Sequence, residues 1–273
     1  MIRFYLSGDP VHDACILAMH TGCELKDKVI TTLDDYEPSD VAVVFGVYKS
    51  KVPASFRRGE VIRQQRQKNL DVLVLETGYI NRGDGPNHHY AAGWNGLNGR
   101  ADFKNKNSPP DRFQKLCVEV KPWRTNGEHV VLCAQVPWDA SVDHSDHIEW
   151  IRYAVRKIQG NTDREVRFRP HPLAKLPPIP GCDYSTEPLE SDLQNAWAVV
   201  TFNSNSAVES LIHGVPAFAF DEGSMAWGIA NKGWGMLESP KTPNRSQWLN
   251  DLAYCQWTLD EMREGIAWRH LSR

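Results

Sequence analysis

Short apolar runs separated by helix-like stretches constrain this chain more than any other feature. Ile2–Ser7, Asp40–Phe45 (DVAVVF) and Asp71–Leu75 (DVLVL) each read as a strand, with helices expected over Val11–His20 and Phe56–Lys68. Apolar runs this short, bounded by polar residues or glycine, suit strands buried on both faces, as in a parallel sheet. Strand–helix–strand order then predicts right-handed crossovers. The alternation resumes at His129–Ala134 (HVVLCA): helix Ser145–Ile158, strands Glu165–Arg169 and Ala196–Phe202, helix Ser206–His213, strand Pro216–Phe220. The expected class is α/β in two units. Turn signals at Trp123–Glu128 set the expected domains at 1–125 and 126–273, with a last helix, Leu259–Arg269, packing back on the first.

Composition narrows the rest. The chain has 273 residues, enough for two cores, and a net charge of −3, so any polyanion surface must be local. No apolar run approaches the ~18 residues of a membrane span, and no membrane insertion is expected. The start, MIRFYLSGDP, lacks the apolar core and cleavage site of a signal peptide, so a cytoplasmic location is expected. Cys15, Cys23, Cys117, Cys133, Cys182 and Cys255 are scattered without a C-x-x-C pair, as for free thiols. No G-x-G-x-x-G follows the first strand and no Walker loop is present, which sets aside dinucleotide enzymes and P-loop kinases.

Three stretches carry chemistry. Arg169-Pro170-His171-Pro172 ends a strand, and its prolines fix the backbone around a histidine that can donate to a phosphate. Thr201-Phe202-Asn203-Ser204-Asn205-Ser206-Ala207-Val208-Glu209 runs from a strand through polar residues into a helix, whose N-terminus favours an anion. A capping box between Ser206 and Glu209 is the structural alternative there. Val136-Pro137-Trp138-Asp139-Ala140-Ser141 follows the stretch HVVLCAQ that ends a strand. Downstream, Asp143, His144, Asp146, His147 and Glu149 spread around several faces of a helix, so no metal site is expected.

Together these stretches resemble the capsule-polysaccharide-synthesis glycosyltransferases, which include the bacterial Kdo transferases. That family carries G-Q-x-x-x-D-x-S, matched by Gln135, Asp139 and Ser141, then K-P-H-P, matched by Pro170, His171 and Pro172. Its T-S-x-x-x-x-E-A-L-x-x-G-x-P is matched by Ser204, Glu209, Leu211, Gly214 and Pro216, and its later G-W-G is approached by Trp227-Gly228. Leu75–Ile80 (LETGYI) resembles the family's E-D-G-F-[IL], with Thr77 in place of the Asp. The resemblance implies a GT-B-like fold: two Rossmann-like domains with parallel sheets facing a central cleft, the first binding acceptor and the second a nucleotide-sugar. The nucleotide-sugar is a co-substrate, and no cofactor is implied.

The chemistry then assigns roles. His171, Ser204, Ser206 and the helix N-terminus meet the leaving phosphate, since no D-x-D motif is present to hold a divalent ion. Glu209 binds the ribose, and Gln135, Asp139, Ser141, Arg169, Asn203 and Asn205 complete the donor set. With Thr77 replacing the family's Asp, the candidates for the catalytic carboxylate are Glu76, Asp102 and Asp84. The irregular stretch from Glu76 to about Pro110 is too long and aromatic for a plain connector. Tyr79, Arg82, Tyr90, Trp94 and Arg100 are its candidate acceptor contacts.

Residues 49–68 hold seven basic residues against Glu60, and residues 100–124 seven against three acids. A local basic patch suits a polyanionic acceptor, and the aromatics suit stacking on a flipped base. The expected reaction is sugar transfer to a hydroxyl, at best specification a hydroxymethylated base in duplex DNA of the phage kind. The alternatives are capsule- or lipopolysaccharide-type glycan assembly, or a non-catalytic nucleotide-sugar-binding relative.

Overall fold

The computed structural model describes residues 1–47, 53–82, 87–142 and 145–273, and only the backbone of 53–56. The first stretch of chain forms β1 (Ile2–Leu6), α1 (Pro10–Gly22), β2 (Lys28–Thr32), β3 (Val41–Phe45), α2 (Pro53–Gln67), β4 (Asp71–Thr77), β5 (Tyr90–Trp94) and α3 (Asp111–Lys115). Next come β6 (His129–Cys133), α4 (His147–Gln159), β7 (Glu165–Arg169), β8 (Asp183–Tyr184), α5 (Leu189–Leu193), β9 (Ala196–Thr201), α6 (Ser206–Ile212) and β10 (Ala217–Ala219). The chain closes with α7 (Ser246–Ala253), β11 (Gln256–Trp257), α8 (Leu259–Arg263) and α9 (Ile266–Leu271).

Two units result: Met1–Cys117 with Ser246–Arg273, and Val118–Arg245. The turn-rich segment 123–128 thus lies inside the second unit, and the last residues belong to the first.

The first unit's sheet has the order β11-β5-β4-β3-β1-β2. β1 to β4 are mutually parallel, while β5 runs antiparallel to β4 and β11 antiparallel to β5. Alternation along β4 sends Leu73 and Leu75 to one face and Val72 and Val74 to the other, each against its own core. The Leu73 face packs on Ile16 and Met19 of α1 and on Trp257, Met262, Trp268 and Leu271 from the C-terminal segment. Besides the two-residue strands β8 and β11, two longer strands, β2 and β5, have no counterpart in the expected strands. β2 (KVITT) leaves Val29 and Ile30 exposed at the sheet edge, so it lacks the apolar density of a buried strand. β5 (YAAGW) has only small residues between its terminal Tyr90 and Trp94, and a Cβ at Gly93 would stand 2.7 Å from Phe103 and Ala101.

The second unit's sheet, order β10-β9-β6-β7-β8, is parallel throughout. Val130, Leu132, Phe168 and Val200 pack with Ile151 and Ile158 of α4 on one face, and Val131, Cys133 and Val199 with Leu193 and Val215 on the other. The final helix expected over Leu259–Arg269 is two short helices, α8 and α9, broken at Gly265 with φ 74°.

Candidate active site

Parallel strands deliver their polar loops to one edge, the carboxyl ends, so the candidate residues are placed edge by edge. In the second unit, β6, β7 and β9 are neighbours, and the three sequence stretches begin at their carboxyl ends. Asn203 ties two of them together. Its backbone N–H donates to Gln135 Oε1 (3.0 Å), and its Nδ2 donates to the Ser141 carbonyl (2.8 Å) and to Asp221 Oδ1 (2.6 Å). Gln135 Nε2 donates to Asn203 Oδ1 (2.5 Å) and Ser141 Oγ (3.1 Å). Asp139 Oδ1 accepts the Ser141 N–H (2.8 Å), turning the loop. Three strand-end loops, after β6, β9 and β10, are thereby fixed by side-chain amides.

Sequence reasoning missed two members of this edge. Asp221, directly after the β10 segment, also accepts the Gly223 N–H (2.9 Å). His147, only 2% exposed, accepts the Gln135 N–H at Nε2 (3.0 Å) and stacks on Trp150 (5.4 Å, 9°). Burial pushes its imidazole down to about 4, so it is neutral at pH 7. An inward histidine opening α4, behind the N-cap Asp146, was the available signal. Glu149 pairs with Arg152 and Arg156, while Asp143 and His144 lie outside the described residues.

His171 lies beyond β7, with Nδ1 accepting the Leu173 N–H (3.2 Å). A neutral ring in that state carries its proton on Nε2. Ser204 Oγ accepts the Ser206 N–H (3.2 Å), which leaves its hydroxyl proton to donate. The capping box does not form. Asn205 is the N-cap of α6, Ser206 is buried against the Cys133 thiol, and Glu209 accepts from Asn205 Nδ2 (3.1 Å). Arg169 is engaged elsewhere: its guanidinium donates to Asp192 (2.8 Å), itself 1% exposed, and to the Glu187 carbonyl. It braces the end of β7 and does not face a ligand as a free cation.

In the first unit, the antiparallel β5 divides the candidates. Its start, Tyr90, lies opposite Thr77 at the carboxyl end of β4, and its end, Trp94, lies opposite Leu73. Glu76 is therefore at the carboxyl edge of the parallel strands, while Asp102, bridged to Trp94, is toward the other end of the sheet. Asp102 is also paired with Lys104 (2.7 Å), which holds its carboxyl below the usual range. Asp84 lies outside the described residues.

The expected aromatic contacts are mostly core. Tyr79 is buried against Phe103 with its hydroxyl donating to Asn98 (3.3 Å), and Tyr90 is buried against Phe45. Trp94 packs on Trp268 and donates to the Leu271 carbonyl (3.0 Å). Arg82 and Arg100 are exposed. The loop after β4 is pinned by Gln256, whose Oε1 accepts the Tyr79 and Ile80 N–H groups (2.6 and 3.0 Å).

Glu76 shares its edge with groups the sequence reading passed over. A Cβ on Gly46, φ 74°, would stand 2.7 Å from Arg58 Nη1 and 3.4 Å from Glu76 Oε2, so both side chains crowd that glycine. Arg58 is 6% exposed; burial lowers its pKa, and Glu76, Asp9 and Asp13 oppose the shift. Asp13 accepts from Ser7 N–H (2.7 Å), Ser7 Oγ (3.1 Å) and Gly8 N–H (3.0 Å). His12 stacks on Phe45 (4.1 Å, 14°). The signal was Asp9-Pro10-Val11-His12-Asp13, a capped helix start directly after a strand.

Two α/β units with strand-end polar edges constitute the fold of GT-B glycosyltransferases, and solved structures bear this out. KpsC of Thermosulfurimonas dismutans, a β-Kdo 2,4-transferase, shares 15% identity over 92% of this chain and 89% of its own, with a TM-score of 0.59. The β-Kdo 2,7-transferase of KpsC from the same organism shares 14% over 99% and 98%, with a TM-score of 0.57. A spinosyn rhamnosyltransferase, SpnG, complexed with thymidine diphosphate, shares 15% identity over 94% of this chain and 66% of its own, with a TM-score of 0.32. No protein-family model and no curated protein matches the sequence. At these identities the likeness is one of fold.

Proposed function

We propose that the chain is a glycosyltransferase that moves a sugar from a nucleotide-sugar to a hydroxyl acceptor. The observation that carries this is the gathering of Gln135, Ser141, Asn203 and Asp221 into one hydrogen-bonded network at the carboxyl edge of the second unit's sheet. The network joins segments up to 86 positions apart in sequence. In this reading the network is a rigid floor under the donor. The Nε2–H of His171, the Ser204 hydroxyl and the first N–H groups of α6 meet the charge that grows on the leaving phosphate. Glu209 takes the ribose hydroxyls, and its Oε1 is oriented by Asn205. Fixed donors cost no reorganisation as charge develops, which is why the network matters to rate and not only to stability. The first unit supplies the acceptor side, with Glu76 at its strand-end edge.

A thermal-shift screen of nucleotide-sugars tests the donor assignment, because a ligand bound to the folded state raises Tm by mass action. His171→Ala should lower turnover at least tenfold while Tm is kept, since a charge-assisted hydrogen bond contributes about 1.5–3 kcal/mol. Wild-type rate and donor affinity in that variant overturn the role of His171.

The finer reading of the acceptor is a polyanion, with a hydroxymethylated base in duplex DNA as its specific form. Its support is the basic composition of residues 49–68 and 100–124. Within them Arg57 pairs with Asp34, Arg63 with Glu60, Lys104 with Asp102 and Arg112 with Glu261, while Lys49 and Lys51 lie outside the described residues. The buried Tyr79, Tyr90 and Phe103 offer no stacking platform, so base recognition has lost that support. Retention of duplex DNA in electrophoresis at low but not high salt is the expected result, and absence of retention at low salt turns the assignment to glycan acceptors.

A further inference from the structure

A strand that closes a sheet leaves a row of backbone donors and acceptors open to another strand, and proteins ordinarily shorten, charge or cover such edges. The outermost strands of the two sheets are β2 and β11 in the first unit and β8 and β10 in the second. β8 and β11 have two residues each, and β10 has three and is bridged by Asn231. β2 has five, KVITT, with no proline and in unbroken register with β1. Its lysine does not guard the edge. Lys28 Nζ is turned to the end of α1, where it donates to the carbonyls of His20 (2.7 Å) and Cys23 (2.5 Å). Val29 and Ile30 stay exposed on opposite faces, at 37% and 41%.

Which backbone groups of β2 face outward follows from its pairing with β1. Ile2 N–H donates to the Asp27 carbonyl (2.9 Å), and Leu33 N–H donates to the Leu6 carbonyl (3.2 Å). In a parallel pair, alternate residues turn both backbone groups to the neighbour. The odd-numbered residues of β2 therefore face β1, and Lys28, Ile30 and Thr32 present their N–H and C=O groups outward. We propose that this edge pairs antiparallel with β2 of a second copy of this chain, about a two-fold axis at Ile30, joining two six-stranded sheets into one. Only outward residues can pair, and centring on Ile30 matches them all: Ile30 lies opposite Ile30, and Lys28 opposite Thr32. Each Ile30 exchanges N–H···O=C bonds with the other, and each Thr32 N–H donates to a Lys28 carbonyl. The Thr32 carbonyl already accepts the Asp35 N–H (3.2 Å). The same register closes the exposed Ile30 side chains on each other and sets Val29 against Thr31 on the opposite face. It also brings the strand end carrying Lys26 beside the strand end carrying Asp34, whose side chain stays 60% exposed beside Arg57. This reciprocal match of apolar and charged residues favours a copy of this chain over an unrelated strand.

Five residues a side make a small interface, so the dimer is concentration-dependent, and sedimentation of the full chain over a concentration series reads its Kd. Ile30→Pro removes an outward N–H and no bond to β1, and proline is tolerated at such edge positions. It should raise Kd at least tenfold with Tm kept. Ile30→Lys leaves the backbone N–H in place and sets two ammonium groups opposite each other at the axis. It should raise Kd as much, and it decides the matter if the proline variant melts early. Lys26→Glu should weaken the dimer, and Lys26→Glu combined with Asp34→Lys should restore it. In hydrogen exchange, the Ile30 and Thr32 amides should gain protection as the concentration rises. A chain that stays monomeric at its highest soluble concentration overturns the proposal, whether or not a foreign peptide strand binds the edge. A dimer whose Kd is unmoved by both Ile30 substitutions overturns it too, because its interface then lies elsewhere.

Discussion

Asn203 shows how one side chain sets the cost of the donor edge. Three hydrogen bonds run through its amide, to Gln135, Ser141 and Asp221, and the residue is 4% exposed. Asn203→Ala removes all three and leaves Asp221 and Gln135 without those partners, a loss of about 2–4 kcal/mol. Chemical denaturation should show it as a lower midpoint with unchanged slope. Asn203→Asp should be worse, since it sets a second carboxylate against Asp221. His147 makes a pH-dependent contribution. Its ordinary value of 6.5 falls to about 4 in the folded chain, so the unfolded state binds the proton first. That stability is complete above pH 6.5 and is lost as pH falls from 6.5 toward 4, by roughly 2–4 kcal/mol in all. His147→Gln, whose Oε1 can still accept the Gln135 N–H, should flatten the curve of unfolding free energy over that window. His12, His89 and His270 are also pushed down by burial and add to the slope that remains.

At the scale of elements, the same local pattern had two outcomes. Ser206-x-x-Glu209 and Thr258-x-x-Glu261 both read as capping boxes, and only the second forms. Ser206 is drawn into the core beside Cys133, and the cap position passes to Asn205. Tertiary burial outweighed a local preference worth about 1 kcal/mol. The α1–α8 contact is set by a glycine. A Cβ at Gly22 would stand 1.9 Å from the Met262 carbonyl oxygen and 2.7 Å from the Gly265 backbone N. Backbone cannot rotate away as a side chain can, so Gly22→Ala should cost about 3 kcal/mol or more, at the upper end of overpacking. A melting curve compared with that of Gly160→Ala, which meets its nearest neighbour at 3.3 Å, isolates the effect.

For the whole molecule, the consequential feature is the return of the chain to its first unit. Trp257, Met262, Trp268 and Leu271 fill the core formed by Ile16, Met19, Leu73 and Leu75. Arg112 adds a buried ion pair to Glu261 and donates to the Gln256 carbonyl (2.8 Å), and Gln256 in turn holds the loop after β4. A chain ending at Arg245 should therefore lose the first unit's cooperative unfolding, keep the second unit's far-ultraviolet signal, and bind hydrophobic dyes. Native folding of residues 1–117 in that truncation would show the C-terminal segment to be a mere appendage.

Sequence by itself determined the α/β class and placed most parallel strands within a residue or two, because strands buried on both faces need unbroken apolar runs. It also marked the strand-end polar stretches that meet in the second unit, because loops leaving parallel strands have only one edge at which to gather. What it did not contain was the pairing of distant segments. β2 and β5 escaped notice because one lies at an exposed edge and the other has only small residues, Ala91, Ala92 and Gly93, at its centre. Tertiary structure alone decided that Tyr79 and Tyr90 are buried in the core, and that Asp102 lies toward the far end of the sheet from Glu76. It alone brought His12, Arg58 and Glu76 to one edge. Those decisions turn on strand order and on which face a side chain takes, and a strand's neighbours are chosen by packing across the whole sheet, not by its own residues.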